Sequence, residues 1–200
     1  HPSRAGFTIA GGKVAPAPVD DEGLIAHRLP PQTRIICVTP SHQYPLGLAM
    51  SMPRRAALLE FARRRGAVVI EDDYDGEYRY GGRPLDALQT LDRHESVFYV
   101  GTFGKCLFPA VRVGFIVAPP WAVRALVAMK ECSDWHGPGT TQDALAAFIA
   151  EGHLVRHMRR MQGIYAGRRK LILQTFAERF AGMLEPVPSV AGLHLSARLL

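Results

Sequence analysis

Apolar positions fall into short unbroken runs over the first part of the chain and into helically spaced sets over the last part. Residues 34–39, RIICVT, are rich in β-branched side chains and closed by Pro40, the pattern of a buried strand. Over 53–65 apolar side chains recur among arginines and Glu60, with Pro53 at the start and Gly66 at the end. This predicts a capped helix whose polar face carries the arginines. The run 67–70, AVVI, passes directly into Glu71-Asp72-Asp73-Tyr74-Asp75, as when a buried parallel strand delivers polar side chains from its carboxyl end. Residues 96–102 (SVFYVGT) and 113–119 (VGFIVAP) predict two more such strands. Helix patterns then dominate, over 121–132, 140–153 and 154–180. Strands alternating with helices, then mostly helices, indicate a layered α/β domain running into a connecting helix. PVPSVAG (186–192) reads as a linker or turn cluster, and the last twenty residues as the entry into a further unit.

Composition narrows the function classes. With 48% hydrophobic residues in 200, the chain can bury a substantial core. No apolar run is long enough for a bilayer, and the first residues lack the order of a signal peptide, so a soluble, cytoplasmic protein is expected. Cys37, Cys106 and Cys132 are odd in number and contain no C-x-x-C pair, which argues for free thiols over a disulfide framework or a zinc site. The formal charge of +6 comes from basic residues scattered over helical patterns, better explained by solvated faces or a subunit contact than by nucleic acid.

The strongest chemical signal is GTFGKCLFPAVRVG (101–114), in which Lys105 sits in a glycine-bearing turn after a strand and Arg112 follows beside another. A lysine among Phe103, Leu107 and Phe108 can act as an amine nucleophile towards an aldehyde, whereas an exposed loop lysine stays protonated. The acidic stretch favours the first reading, because a carboxylate at a neighbouring strand end can pair with a protonated pyridine nitrogen. Tyr74 there can donate a hydrogen bond to a ring oxygen. With no histidine beside the acidic run, a metal site is the weaker option and none is expected. Arg112 and Thr102 together have the donors of a phosphate grip, although Arg112 also suits a structural ion pair. His42, His136, His153, His157 and His194 read as surface or structural histidines, since none has a carboxylate and a nucleophile at suggestive spacing.

Four stretches resemble the MocR subfamily of GntR-type bacterial regulators: VTPSHQYPLG (38–47), EDDYDGEYRYGGRPLDALQ (71–89), YVGTFGKCLFPAVRVGFIVAP (99–119) and FIAEGHLVRHMRRMQGIYAGRR (148–169). The resemblance implies an α/β, three-layer aminotransferase-like large domain of fold type I over residues 1–150. A connecting helix and the start of a small domain would follow over 151–200. It implies pyridoxal 5'-phosphate (PLP) held as a Schiff base on Lys105, with Asp72 at the pyridine nitrogen, Tyr74 at the 3-oxygen, and Thr102 and Arg112 at the phosphate. Gly104 stands where the family usually has serine, and Tyr44-Pro45-Leu46-Gly47 where aminotransferases have an asparagine and P-T-G, so Gln43, Tyr44 or His42 is expected on the ring-oxygen side.

The resemblance further implies an amine or amino-acid effector, a homodimer with the site at its interface, and DNA contact only through an amino-terminal winged-helix domain outside this chain, which reads as a fragment. Two other functions remain open. One is a class I/II aminotransferase moving an amino group between an amino acid and a 2-oxo acid, in which Lys105 is also the general base. The other is a truncated remnant that binds nothing.

Overall fold

The computed structural model describes residues 2–82 and 85–200. Arg83 and Pro84, inside the matching stretch 71–89, lie outside the described residues. A short helix α1 (Pro2–Ile9) and a hairpin of β1 (Val19–Asp20) and β2 (Gly23–Leu24) precede β3 (Ile35–Val38), α2 (Met52–Arg65) and β4 (Val68–Asp73). Next come α3 (Leu88–Leu91), β5 (Val97–Thr102), α4 (Phe103–Cys106) and β6 (Gly114–Val117). Three helices follow, α5 (Pro120–Asp134), α6 (Gly139–Ala150) and α7 (His153–Arg179), then β7 (Leu184–Pro186) and β8 (Ala197–Leu199). The hairpin leaves no pattern in the sequence, because two-residue strands carry no readable period, and α1 is a short helix outside the predicted elements.

The central sheet has the order β3-β4-β5-β6. β3, β4 and β5 are parallel, with Val38 opposite Glu71 and Asp72 opposite Val100. Helix α2 makes the crossover from β3 to β4. Ser51 caps it by accepting from the Arg54 N–H, and Gly66 ends it in the left-handed conformation at φ 58°. Its inner side places Leu58, Phe61 and Ala62 on Ile36, Val38, Val69 and Val97 of the sheet, and Leu24, Ala26, Leu29 and Met50 complete this core. Burying each of the larger side chains among these contributes about 1.5–3 kcal/mol.

The structure corrects three expectations. β6 is not a buried parallel strand. It pairs antiparallel to β5 at the sheet edge, and Phe115, Ile116 and Val117 are all exposed. A parallel strand needs a crossover of a dozen or more residues, and the segment from Phe103 to Val113 is too short to supply one. Arg55 is not on a solvated helix face but fully buried. The 186–192 segment is no loose linker: Val187 and Ala191 are buried, Tyr80 N–H donates to the Val190 carbonyl at 2.7 Å, and Arg79 and Ala191 form a bridge. Among the described residues no helix is long and apolar enough to cross a membrane.

Candidate functional site

Side chains alternate along β4, and this sorts the acidic run by task. Glu71 faces the core and accepts from the Leu88 and Gln89 N–H groups at 2.9 and 3.0 Å, satisfying the start of α3. Asp73 accepts from the Tyr99 hydroxyl at 2.8 Å and from the Gly76 N–H at 3.0 Å. Asp72, on the opposite side, lines a cleft of about 510 Å³ together with Tyr74, Gln43, Tyr44 and Lys105. The cleft is walled by apolar groups that include Leu24, Val38 and Met50.

Electrostatics make Asp72 a carboxylate in want of a cation. Burial, and then the charges of Asp73 and Asp75, raise its pKa above the ordinary 3.8. Among the described residues no ion pair reaches it. A cationic ring nitrogen entering the cleft would relieve both penalties. The Gln43 Oε1 is a second buried acceptor, with no donor among the described residues.

Lys105 lies in α4, whose amino-terminal cap is Thr102. The Thr102 Oγ1 accepts from the Gly104 N–H at 3.1 Å, so its own hydrogen stays available for another acceptor. The Lys105 side chain is exposed and reaches the cleft wall, while the next carbonyl, that of Cys106, is held by the Tyr78 hydroxyl at 3.3 Å and by His157 Nε2 of α7 at 3.1 Å. The buried Cys106 thiol is pushed up to about 11, first by burial and then by Glu77, which keeps it protonated at neutral pH. Arg112 and Thr102 are outside the cleft lining, and Arg112 is exposed, in a left-handed conformation at φ 48°.

Residues 4–197 match the family described as Aminotransferase class I and II. The chain belongs to this aminotransferase family. It is 42% identical over 190 residues to the probable rhizopine catabolism regulatory protein MocR of Rhizobium meliloti, covering 94% of this chain and 38% of that protein. With the HTH-type pyridoxine biosynthesis transcriptional regulator PdxR of Corynebacterium glutamicum it shares 34% identity over 186 residues, 93% of this chain and 40% of that one. Among solved structures it superposes with a TM-score of 0.85 and 28% identity on LysN, the α-aminoadipate aminotransferase of Thermus thermophilus, complexed with N-(5'-phosphopyridoxyl)-L-leucine. That match covers 96% of this chain and 51% of LysN. The chain thus spans about two fifths of the length of the curated relatives and about half of the solved aminotransferase, and its fold is that of the fold-type-I aminotransferases.

Within this aminotransferase frame the sequence reading overlooked several residues. The acidic run does have histidine beside it, because His42 and His194 converge on Asp75. His42 Nδ1 lies 3.1 Å from Asp75 Oδ2, and both residues are 1% exposed. The Tyr74 hydroxyl donates to the His42 carbonyl at 3.0 Å. Arg55 also went unseen: it donates to the carbonyls of Met50, Asp86 and Pro40 at 3.0, 2.7 and 2.8 Å, joining three loops at the carboxyl ends of the strands. Its helical spacing matches Leu58 and Ala62, a signal masked by its charge.

Proposed function

We propose that this chain is the effector domain of a MocR/GntR-type transcriptional regulator, holding pyridoxal 5'-phosphate through Lys105 and responding to an amine or amino acid. The observation that carries the reading is that Lys105, Asp72, Tyr74 and Gln43 share one cleft, with no cation at Asp72 and no donor at Gln43 Oε1 among the described residues. When bound, the cofactor supplies an aldehyde that takes up amines and a ring that withdraws electrons from them. Lys105 is its covalent anchor and Asp72 the counter-charge for its ring nitrogen. Gln43, Tyr44 and Tyr74 bound the ring-oxygen side, and Thr102 and Arg112 are the donors for its phosphate. Residues 1–150 act as the cofactor-binding unit, and residues 151–200 as a connecting helix with the first part of a smaller domain.

In this reading an effector amine competes for the place of Lys105 and biases the domain between two conformations. A second copy of the chain completes the site, and DNA contact belongs to a helix-turn-helix segment of the kind named in the regulator relatives. The likeness to LysN supports a second reading, an aminotransferase in which Lys105 also moves the proton at the substrate α-carbon. Absorbance of the purified protein with added PLP, borohydride reduction and peptide mapping test the shared core. A fixed adduct on Lys105, lost in Lys105→Ala, is expected, whereas an adduct that survives in Lys105→Ala overturns the assignment. Sustained formation of 2-oxo acid from an amino acid would favour the aminotransferase, and a single stoichiometric exchange the sensor.

A further inference from the structure

Segments far apart in sequence meet beneath the cleft. Both Asp75 carboxylate oxygens lie within hydrogen-bond distance of His42 Nδ1, at 3.2 and 3.1 Å, which places the hydrogen on that nitrogen. Asp75 Oδ2 also accepts from the Leu193 N–H at 2.8 Å, and the Gly192 N–H donates to the Tyr78 carbonyl at 2.6 Å. Gly192 is pressed against the imidazole at φ +82°, where a Cβ would come within 1.8 Å of Nδ1. Gly47, at φ +81°, closes on the other ring nitrogen, with a Cβ position 3.2 Å from Nε2. His194 lies tilted by 38° against His42 at a centroid distance of 4.2 Å, meets the Tyr44 ring edge-on at 5.6 Å, and reaches the Pro45 carbonyl through Nε2 at 3.1 Å.

His42, Asp75 and His194 have the residue types of a metal site, but the two Asp75 oxygens are both engaged with His42 Nδ1 at hydrogen-bond distance. The geometry points to a different role. We infer that the His42–Asp75 pair is a positioning unit that holds the Tyr74 and Tyr44 wall of the cleft and fastens residues 189–194 to it.

The chemistry follows from donor counting. The Tyr74 hydroxyl donates its hydrogen to the His42 carbonyl, and its oxygen also lies 3.4 Å from His42 Nδ1, so two groups of His42 fix the place of the Tyr74 ring at the cleft. The orientation of that carbonyl depends on the His42 side chain being tied to Asp75. Asp75 is buried and needs both the imidazole and the Leu193 N–H, so loss of either leaves a charge without its donors. Docking of 189–194 and the posture of Tyr74 are therefore one event. The part of the inference that concerns the cofactor rests on the function proposed above; the part that concerns docking does not.

The test compares wild type, His42→Phe, which keeps a ring without a donor, and His42→Asn, whose amide nitrogen can stand near the place of Nδ1. In hydrogen exchange without PLP, His42→Phe should lose protection at the Gly192 and Leu193 amides while β4 and β5 amides keep theirs, and His42→Asn should retain most of it. Unchanged protection at 192 and 193 in a folded His42→Phe overturns the inference whatever PLP does. With PLP, the affinity of His42→Phe should fall about tenfold, the equivalent of one hydrogen bond, with partial recovery in His42→Asn. Wild-type affinity in His42→Phe overturns the positioning role, while failure of wild type to form the Lys105 adduct counts against the proposed function alone. Should His42→Phe not fold, Asp75→Asn takes its place: it leaves one acceptor oxygen for which the His42 Nδ1 hydrogen and the Leu193 N–H must compete, so unchanged exchange at 192 and 193 with unaltered PLP affinity again overturns the inference.

Discussion

The two walls of the candidate site are built to different standards. The wall at the end of β4 is buried and densely hydrogen-bonded: Arg55 joins three loops, His42 and Asp75 pair out of water, and Gly192 closes over them. The wall that carries Lys105, with Arg112 beyond the cleft lining on the same connection, is open. β6 beside it is exposed along its whole length, and Arg112 holds a left-handed backbone conformation with its side chain in solvent. The difference teaches that rigidity and exposure have been separated. The β4 wall supplies fixed positions, and the Lys105 wall leaves its lysine accessible from solvent.

Substitutions should sharpen this contrast. Arg55→Met removes a buried cation from three carbonyls and should cost about 3–5 kcal/mol in unfolding free energy by denaturant titration. A smaller loss, about 3 kcal/mol, is expected for Gly192→Ala, which combines a left-handed backbone with a collision on His42. On the open wall, Arg112→Gly relieves a left-handed non-glycine residue and should leave stability unchanged or raise it by up to about 1 kcal/mol. If Arg112→Gly destabilises as much as Gly192→Ala, the contrast between the walls fails. Ile116→Thr on the exposed edge should shift stability by no more than about 0.5 kcal/mol.

Acid titration offers a further cut through the same comparison. Burial raises the Asp92 carboxyl, but hydrogen bonds from the His94, Ser96 and Val97 N–H groups and the Ser96 hydroxyl outweigh it, so its pKa lies below the ordinary 3.8. The stability it contributes is present above the unfolded value and is lost as pH falls through the folded one. Asp72 runs the other way. Its folded pKa is raised, so the folded state holds the proton more tightly, and stability falls as pH rises from the unfolded value through the folded one. Asp92→Asn should therefore weaken the protein at neutral pH, whereas Asp72→Asn should leave it as stable or more stable there while impairing PLP binding. Thermal melts between pH 3 and 7 distinguish the two, and a neutral-pH loss in Asp72→Asn would count against a carboxylate kept for function at the expense of stability.

The alternation of apolar runs and helical spacing was enough to place β3, α2, β4, β5 and the three long helices, because each obeys a local period. Lys105, Asp72 and Tyr74 were also legible, as unusual side chains at strand ends, and the structure brings all three to one cleft. The antiparallel direction of β6 follows from the length of its connection, which the sequence holds, whereas its exposure was decided by tertiary structure alone, through what packs on it. Tertiary structure also decided the burial of Arg55, whose charge reads as surface until three carbonyls are found to receive it. The junction of His42, Asp75 and Leu193 lay furthest from the sequence. Its hydrogen bond from Leu193 to Asp75 spans 118 residues, and a contact closed by chain folding over that separation leaves no periodic trace in the neighbours of either residue.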